Sequence, residues 1–283
     1  MTPPQPHAAF HWRREPWGLA LECRALDRAA QHLFTTRQLA LRDGDSWRLA
    51  TASLGSSPDR LMRVKQVHGN SVRVLKRGEV PGNAAGVRPD GDAIVANQPG
   101  LVLAVVVADC VPILIADPMR GVAAAVHAGW RGTCAQVAPA AIAVMERQFG
   151  TNPADVIAAI GPSVGPEDYE VGASLIDAFA TAGHSAQHID RWFIRATPGA
   201  PATRTVAHGV EPKPHLDLWL ANADQLAAAG LRRDHIFISG LSTVAHSSVF
   251  ESYRVDGERA GRMAGLIVVP PPAAFAKASA PKA

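Results

Sequence analysis

From residue 60 to residue 129 the chain alternates short apolar runs with polar or Gly/Pro breaks, the pattern of strands joined by brief connections. "RLMRVKQVHGNSVRVL" (60–75) reads as two short strands around His68-Gly69-Asn70, with Val72 and Val74 keeping period two. "GDAIVAN" (91–97), "LVLAVVVAD" (101–109), "VPILIAD" (111–117) and "GVAAAVHAG" (121–129) follow in quick succession, with Gln98-Pro99-Gly100 and Asp117-Pro118 as turns. Such short connections favour antiparallel or mixed pairing over βαβ crossovers. A helix is expected from Thr133, as N-cap, to about Phe149, with Gly150 as its stop and Pro139 kinking or shortening it. "DVIAAIGPSVG" (155–165) is a strand entering a Gly/Pro loop, and "HIFISG" (235–240) and "GLIVV" (265–269) are late strands. "GASLIDAFATAG" (172–183) and "LDLWLANADQLAAAG" (216–230) are amphipathic helices ending in Gly.

Several strands therefore precede each helix, and the expected fold class is α+β, a mixed β-sheet core flanked by helices in a single domain over residues 31–270. Residues 1–30 read as loosely structured, 271–283 as a disordered Pro/Ala tail, and 195–214 as a long Pro/Gly/Thr loop of the lid or insertion type.

Charge and composition narrow the class. Among 283 residues, 28 Lys and Arg stand against 25 Asp and Glu, and no basic block is interleaved with aromatics, so a nucleic-acid partner is not expected. Three cysteines, Cys23, Cys110 and Cys134, argue against a disulfide framework and for a reducing, cytoplasmic setting. The Arg13-Arg14 pair is not followed by an apolar signal region, and the longest apolar stretch (101–116) carries Asp109 and Pro112 and is too short to span a bilayer. No membrane partner is expected.

Chemistry-bearing residues sit at strand ends: His68 in "KQVHGN", Cys110 in "VVADCVP" and His127 in "AVHAGWRG". Taken singly, a His beside Gly is a turn residue and a Cys in an apolar run is core, and their spacing is neither that of a zinc finger nor HExxH. The blocks around them carry more. "FTTR" (34–37), "KQVHG" (65–69), "GDAIVANQPGLVLAVVVADCVPILIADP" (91–118), "AAVHAGWRGT" (124–133) and "IGPSVGPEDYEVG" (160–172) resemble the laccase-domain, or YfiH-like, proteins. "LDLWLANADQLAAAG" and "SYRVDGERAGRMAGLIVV" (252–269) extend the resemblance over roughly residues 32–269. That family is also called multicopper polyphenol oxidases and purine nucleoside phosphorylases.

The resemblance implies one Zn²⁺ held by His68, Cys110 and His127. Two imidazoles and a thiolate suit zinc and also copper, and three protein ligands leave a fourth position open, the mark of a catalytic site. His68, Cys110, His127 and Arg131 are then the expected catalytic set. Arg131 after the Gly129–Gly132 turn, with a helix start at Thr133, is the expected anion cradle; Arg37 and Arg254 are phosphate candidates by motif position. Asp109, pointing to the opposite face if this is a strand, is read as a ligand-orienting group or a turn cap and is counted among the candidate substrate contacts; Asp92 has the same two readings, orienting a ligand or capping a turn. His246 reads as a surface histidine.

The implied activity is phosphorolysis of adenosine, inosine, guanosine or methylthioadenosine to base and ribose 1-phosphate, with deamination of adenosine at the same site. The partners are thus small molecules, purine nucleosides and phosphate, and the chain is expected to be a monomer or weak homo-oligomer. Two competitors stand beside this. Cys110 with a histidine base could act as an amidase on cell-wall peptide precursors. Copper-dependent phenol oxidation ranks behind, because laccases need several copper sites and the His/Cys set here builds one. The chain departs from the family after "FTTR", where "QLALRDGDSWRLA" replaces a Gly-Gly turn, and at Ser242-Thr243, where relatives carry Cys-Thr.

Overall fold

In the computed structural model, which describes residues 2–39, 41, 44–79, 88–194 and 213–272, twelve of the strands form two six-stranded mixed sheets rather than one, and the remaining two pair with each other in a short antiparallel ribbon. The N-terminal third supplies β1 (Phe10–Glu15), β2 (Gly18–Cys23), α1 (Arg24–Asp27), β3 (His32–Thr35), α2 (Gly44–Ala52), β4 (Leu61–Arg63) and β5 (Val72–Leu75). Next come β6 (Ala93–Ala96), β7 (Val102–Val107), β8 (Val111–Asp117), β9 (Val122–Ala128), α3 (Trp130–Cys134), α4 (Val137–Phe149) and β10 (Ile157–Ile160). The rest holds α5 (Ser174–Thr181), α6 (Ala186–Trp192), β11 (Phe193–Ile194), β12 (His215–Leu216), α7 (Leu218–Ala228), β13 (Ile236–Ile238), α8 (Tyr253–Asp256) and β14 (Met263–Val268). The first sheet runs β1-β2-β3-β14-β7-β4 and the second β13-β10-β8-β9-β6-β5. Parallel pairs (β4 with β7, β5 with β6, β10 with β13) join antiparallel ones, so the fold is α+β with mixed pairing.

The side-chain alternation explains the layering. Along β9, Val122, Ala124, Val126 and Ala128 pack toward α4 and α7, whereas Ala123 and Ala125 pack into the space between the sheets. On β7, Leu103 and Val105 face that same interior, and Val102 and Ala104 turn out to a third core with Trp47 and Ala50 of α2. Both sheets are therefore covered on both faces, which is why their strands read as nearly continuous apolar runs.

Several expectations are corrected. Residues 1–30 are not loosely structured: β1 and β2 pair from Phe10↔Cys23 to Glu15↔Gly18, and Leu21 and Leu26 are fully buried. This hairpin was hidden because "FHWRRE" keeps its polar residues in ion pairs, Arg13 bonding Glu15 at 2.5 Å and Glu22 at 2.7 Å. The two strands of 60–75 belong to different sheets. The helix expected from Thr133 is two helices, α3 and α4, separated by Gln136 at φ 60° and ψ 46°. Gly129, not Thr133, caps α3, and Pro139 falls in the first turn of α4, where a missing N–H costs no hydrogen bond. The 195–212 part of the expected loop and the tail from 273 lie outside the described residues. Among the described residues no helix is long and apolar enough to cross a membrane.

Candidate metal centre and its cavity

The chain passes from the first sheet to the second at two neighbouring points. Residues 64–71 link β4 to β5, and Ala108–Cys110 link β7 to β8. His68 lies on the former, in the left-handed region at φ 59°, and Cys110 closes the latter just after Asp109 at φ 84°. His127 comes from the C-terminal part of β9. The sheet crossings thus bring together three residues that the sequence keeps 42 and 17 positions apart.

One ligand atom from each of His68, Cys110 and His127 lies within 4.8 Å of the others, Cys110 Sγ standing 4.0 Å from His68 Nε2. The two imidazoles meet edge to face, with centroids 4.9 Å apart at 81°. Asp92, fully buried, accepts from His127 Nδ1 at 2.9 Å and from the backbone N–H groups of His68 at 2.9 Å and Gly69 at 2.7 Å. With Nδ1 turned to Asp92, Nε2 is the nitrogen left for the cluster, the arrangement a metal ligand requires. Burial alone would raise the Asp92 carboxyl, but these hydrogen bonds outweigh it and hold it below the usual carboxylate range.

Burial likewise pushes the Cys110 thiol up, yet hydrogen bonding to His127 and His68 brings it down to about 6. Burial pushes His127 down, and its bonds to Asp92 and Cys110 reverse this and raise it to about 9. A deprotonated sulfur beside two imidazole nitrogens is a donor set for zinc or copper, and the close spacing fits a single ion. Gly129 is required by the approach: a Cβ there would lie 2.8 Å from Cys110 Sγ and 3.3 Å from His68 Cδ2. Gln66 fixes the loop carrying His68, its side-chain amide bonding both N and O of Val106, at 2.8 and 2.7 Å.

The cluster opens into a cavity of about 900 Å³. Of the residues singled out from sequence, His68, Cys110, His127, Asp109 and Arg254 line it. Asp109 is not on a strand face. It occupies the β7–β8 turn, accepting from the Thr243 hydroxyl at 2.6 Å and from the Arg254 backbone N–H at 2.6 Å. Arg254 in turn lies over the Tyr169 ring at 5.4 Å and donates to the Glu170 carbonyl at 2.5 Å. Burial pushes the Tyr169 phenol up to about 12, so it is a neutral hydrogen-bonding group at any working pH.

Arg131 and Arg37 are not brought to the cavity wall. Arg131 stacks on the Trp130 ring at 4.4 Å, and Arg37 is held by the Ser247 carbonyl, Glu251 and Asp256. Thr133 is fully buried, its hydroxyl accepting from Asn222 Nδ2 at 3.0 Å and its carbonyl from Gln225 Nε2 at 2.8 Å. His246 does not line the cavity either. Sequence reasoning did not single out Lys65, Arg88, Tyr169, Tyr253 and Arg262, which all line it. Lys65, Tyr169, Tyr253 and Arg262 lay inside the blocks "KQVHG", "PEDYE" and "SYRVDGERAGRM" and could have been found there; Arg88 carried no signal. The other donor group among the described residues, His11, Glu22 and Asp27, sits by the β1–β2 hairpin, where Arg13 already pairs with Glu22.

Fold and site together define an α+β protein of two facing sheets with a candidate His/Cys metal centre at the floor of a cationic cavity. The family model described as multi-copper polyphenol oxidoreductase laccase matches residues 44–270, and the chain belongs to that family. A purine nucleoside phosphorylase of Deinococcus radiodurans is 36% identical over 220 residues, covering 77% of this chain and 74% of that protein. An adenosine deaminase, RL5, from an unknown prokaryotic organism is 34% identical over 231 residues, 79% and 80% of the two chains. The match to a purine nucleoside phosphorylase of Bacteroides thetaiotaomicron, at 34% identity, spans 63% of this chain and 60% of that protein. The crystal structure of the Bacillus licheniformis hypothetical protein YfiH superposes with a TM-score of 0.78 at 24% identity, over 91% of this chain and 98% of that one, a likeness of fold.

Proposed function

We propose that the chain is a zinc-dependent purine nucleoside phosphorylase that also deaminates adenosine. The observation that carries this is the convergence of His68, Cys110 and His127, backed by Asp92, on a cavity whose wall also holds Arg254 and two tyrosines. The names borne by the relatives point the same way.

Zinc, when bound by His68, Cys110 and His127, would supply a Lewis acid and lower the pKa of a coordinated water toward ~7. The chain's own residues do the rest. Asp92 keeps the His127 proton on Nδ1, sets the angle of that imidazole and fixes the backbone that carries His68. Tyr169 and Tyr253 offer flat faces to a purine. Arg254, its backbone pinned by Asp109, holds the phosphate that attacks ribose C1′ as the bond to the base breaks, giving base and ribose 1-phosphate. Arg131 and Arg37 do not line the cavity, Arg131 stacking on Trp130 and Arg37 pairing with Glu251 and Asp256, so this reading gives the phosphate contact to Arg254.

Adenosine incubated with purified protein, with and without phosphate, tests this by chromatography. Phosphate-dependent adenine and ribose 1-phosphate, absent in Cys110→Ala, are expected, together with inosine that forms regardless of phosphate. No turnover of adenosine in either condition would sink the proposal.

One observation favours a second reading. A thiol lowered to about 6 beside a histidine raised to about 9 is a thiolate–imidazolium pair, the resting form of a cysteine amidase. A metal-bound thiolate is shielded from iodoacetamide until a chelator is added, whereas a free nucleophile is alkylated at once. Rapid alkylation of the protein as isolated, with peptide-precursor hydrolysis, would put this reading first.

A further inference from the structure

The phosphorylase reading leaves part of the cavity's charge unused. Asp109 is the sole carboxylate on the wall among the described residues, against the cations Lys65, Arg88, Arg254 and Arg262. Lys65 has a partner, Asp90, at 3.7 Å, and Arg254 is tied to the Asp109 turn and the Glu170 carbonyl. Arg88 and Arg262 have no carboxylate partner among the described residues. Arg262 reaches only the carbonyls of Ala260 and Gly261, at 2.9 and 2.8 Å. Arg88 stands near another guanidinium: burial, and after it the charge of Arg88, lowers Arg63. Like charges gathered on one concave wall without acids raise the local anion concentration and offer forked donors to a phosphate.

These two cations arrive from opposite flanks of one strand. Arg262 precedes β14, whose Met263 is paired with Val107 of β7. Arg88 lies two residues before Asp90, which bridges to Lys65 just beyond β4, and β4 pairs with the other edge of β7. Both are exposed and so belong to the mouth, whereas the phosphate that meets ribose C1′ must lie beside the reacting bond. On a nucleoside whose base and C1′ face the floor, the ribose 5′ carbon points outward. We infer that Arg88 and Arg262 form a second anion subsite that takes the 5′-phosphate of a nucleoside monophosphate, an inference that rests on the nucleoside-processing reading.

Calorimetric titration of adenosine, adenosine 5′-monophosphate and inorganic phosphate into the wild-type protein and the Arg88→Ala/Arg262→Ala variant tests it. The wild type is expected to prefer the monophosphate over adenosine by about tenfold or more, the scale of one charge-assisted phosphate contact. In the double variant that ratio falls toward one. Equal affinities in the wild type overturn the inference, as does a preference that survives the double substitution. Loss of inorganic phosphate binding with no change in the ratio assigns the arginines to the co-substrate instead and also overturns it. The ratio is read from binding, so a failure of adenosine turnover by chromatography would fell the catalytic reading separately. Thermal melts of the variant confirm that the chain still folds, as expected for two exposed side chains.

Discussion

Asp92 spends one carboxylate on both candidate ligand histidines, holding His127 by its ring and His68 by its backbone. Asp92→Asn keeps the shape but loses the charge and brings an N–H₂ against donors. Metal affinity should fall by roughly 10–100-fold, measured by competition with a chromophoric chelator; an unchanged affinity would remove Asp92 from this role. A second histidine tests burial alone. His32 is enclosed, its Nε2 accepting from Cys23 N at 2.8 Å, and burial drives it from the ordinary 6.5 to about 4. Because the folded pKa is the lower one, the unfolded chain takes up the proton first as pH falls. Its contribution is intact above about 6.5 and drains away toward pH 4, by about 3 kcal/mol in all. Denaturation at pH 7 and pH 4.5 should show a smaller loss for His32→Gln than for the wild type, and equal losses would contradict the assignment.

At the scale of elements, the strands from β4 to β10, with β13 and β14, were legible because most are bounded by turn residues and alternate between two buried faces. The break between α3 and α4 was not, since Gln136 adopts a left-handed conformation without the glycine that would announce it. The turn from His127 to α3 is instead held from outside, by α7: Asn222 and Gln225 bond the hydroxyl and carbonyl of Thr133. Such a long-range polar anchor leaves no trace in local pattern. Asn222→Ala and Thr133→Val should each cost about 1–3 kcal/mol by denaturant titration, and the double variant less than the sum. Strict additivity would show that the two side chains do not act together. The candidate ligands were legible through their motif blocks, while Arg88 was not, because a lone exposed arginine looks the same on any surface; Arg262 lay in a block but nothing in its neighbours marked it as facing a cavity.

Across the whole molecule, neither the division into two sheets nor the N-terminal hairpin could be read ahead, because both depend on pairings between distant segments such as β14 with β3 and β7. Candidate ligands drawn from both sheet crossings would make metal binding a property of the assembled sandwich. Stripping the metal with a chelator should therefore lower the melting temperature by several degrees, and added zinc should restore it, as ligand linkage requires. Cys110→Ala should show no zinc-dependent shift; one as large as that of the wild type would place the ion elsewhere.

The alanines of β9 that face the first sheet, Ala123 and Ala125, are fully buried at the level where the two layers touch. They act as spacers. A methyl group or two added there would pry the layers apart and spread the crossings that carry His68 and Cys110, altering the bite offered to the ion. Exchanging small residues deep in the sandwich would thus retune which metal the candidate site prefers, while His68, Cys110 and His127 stay as they are.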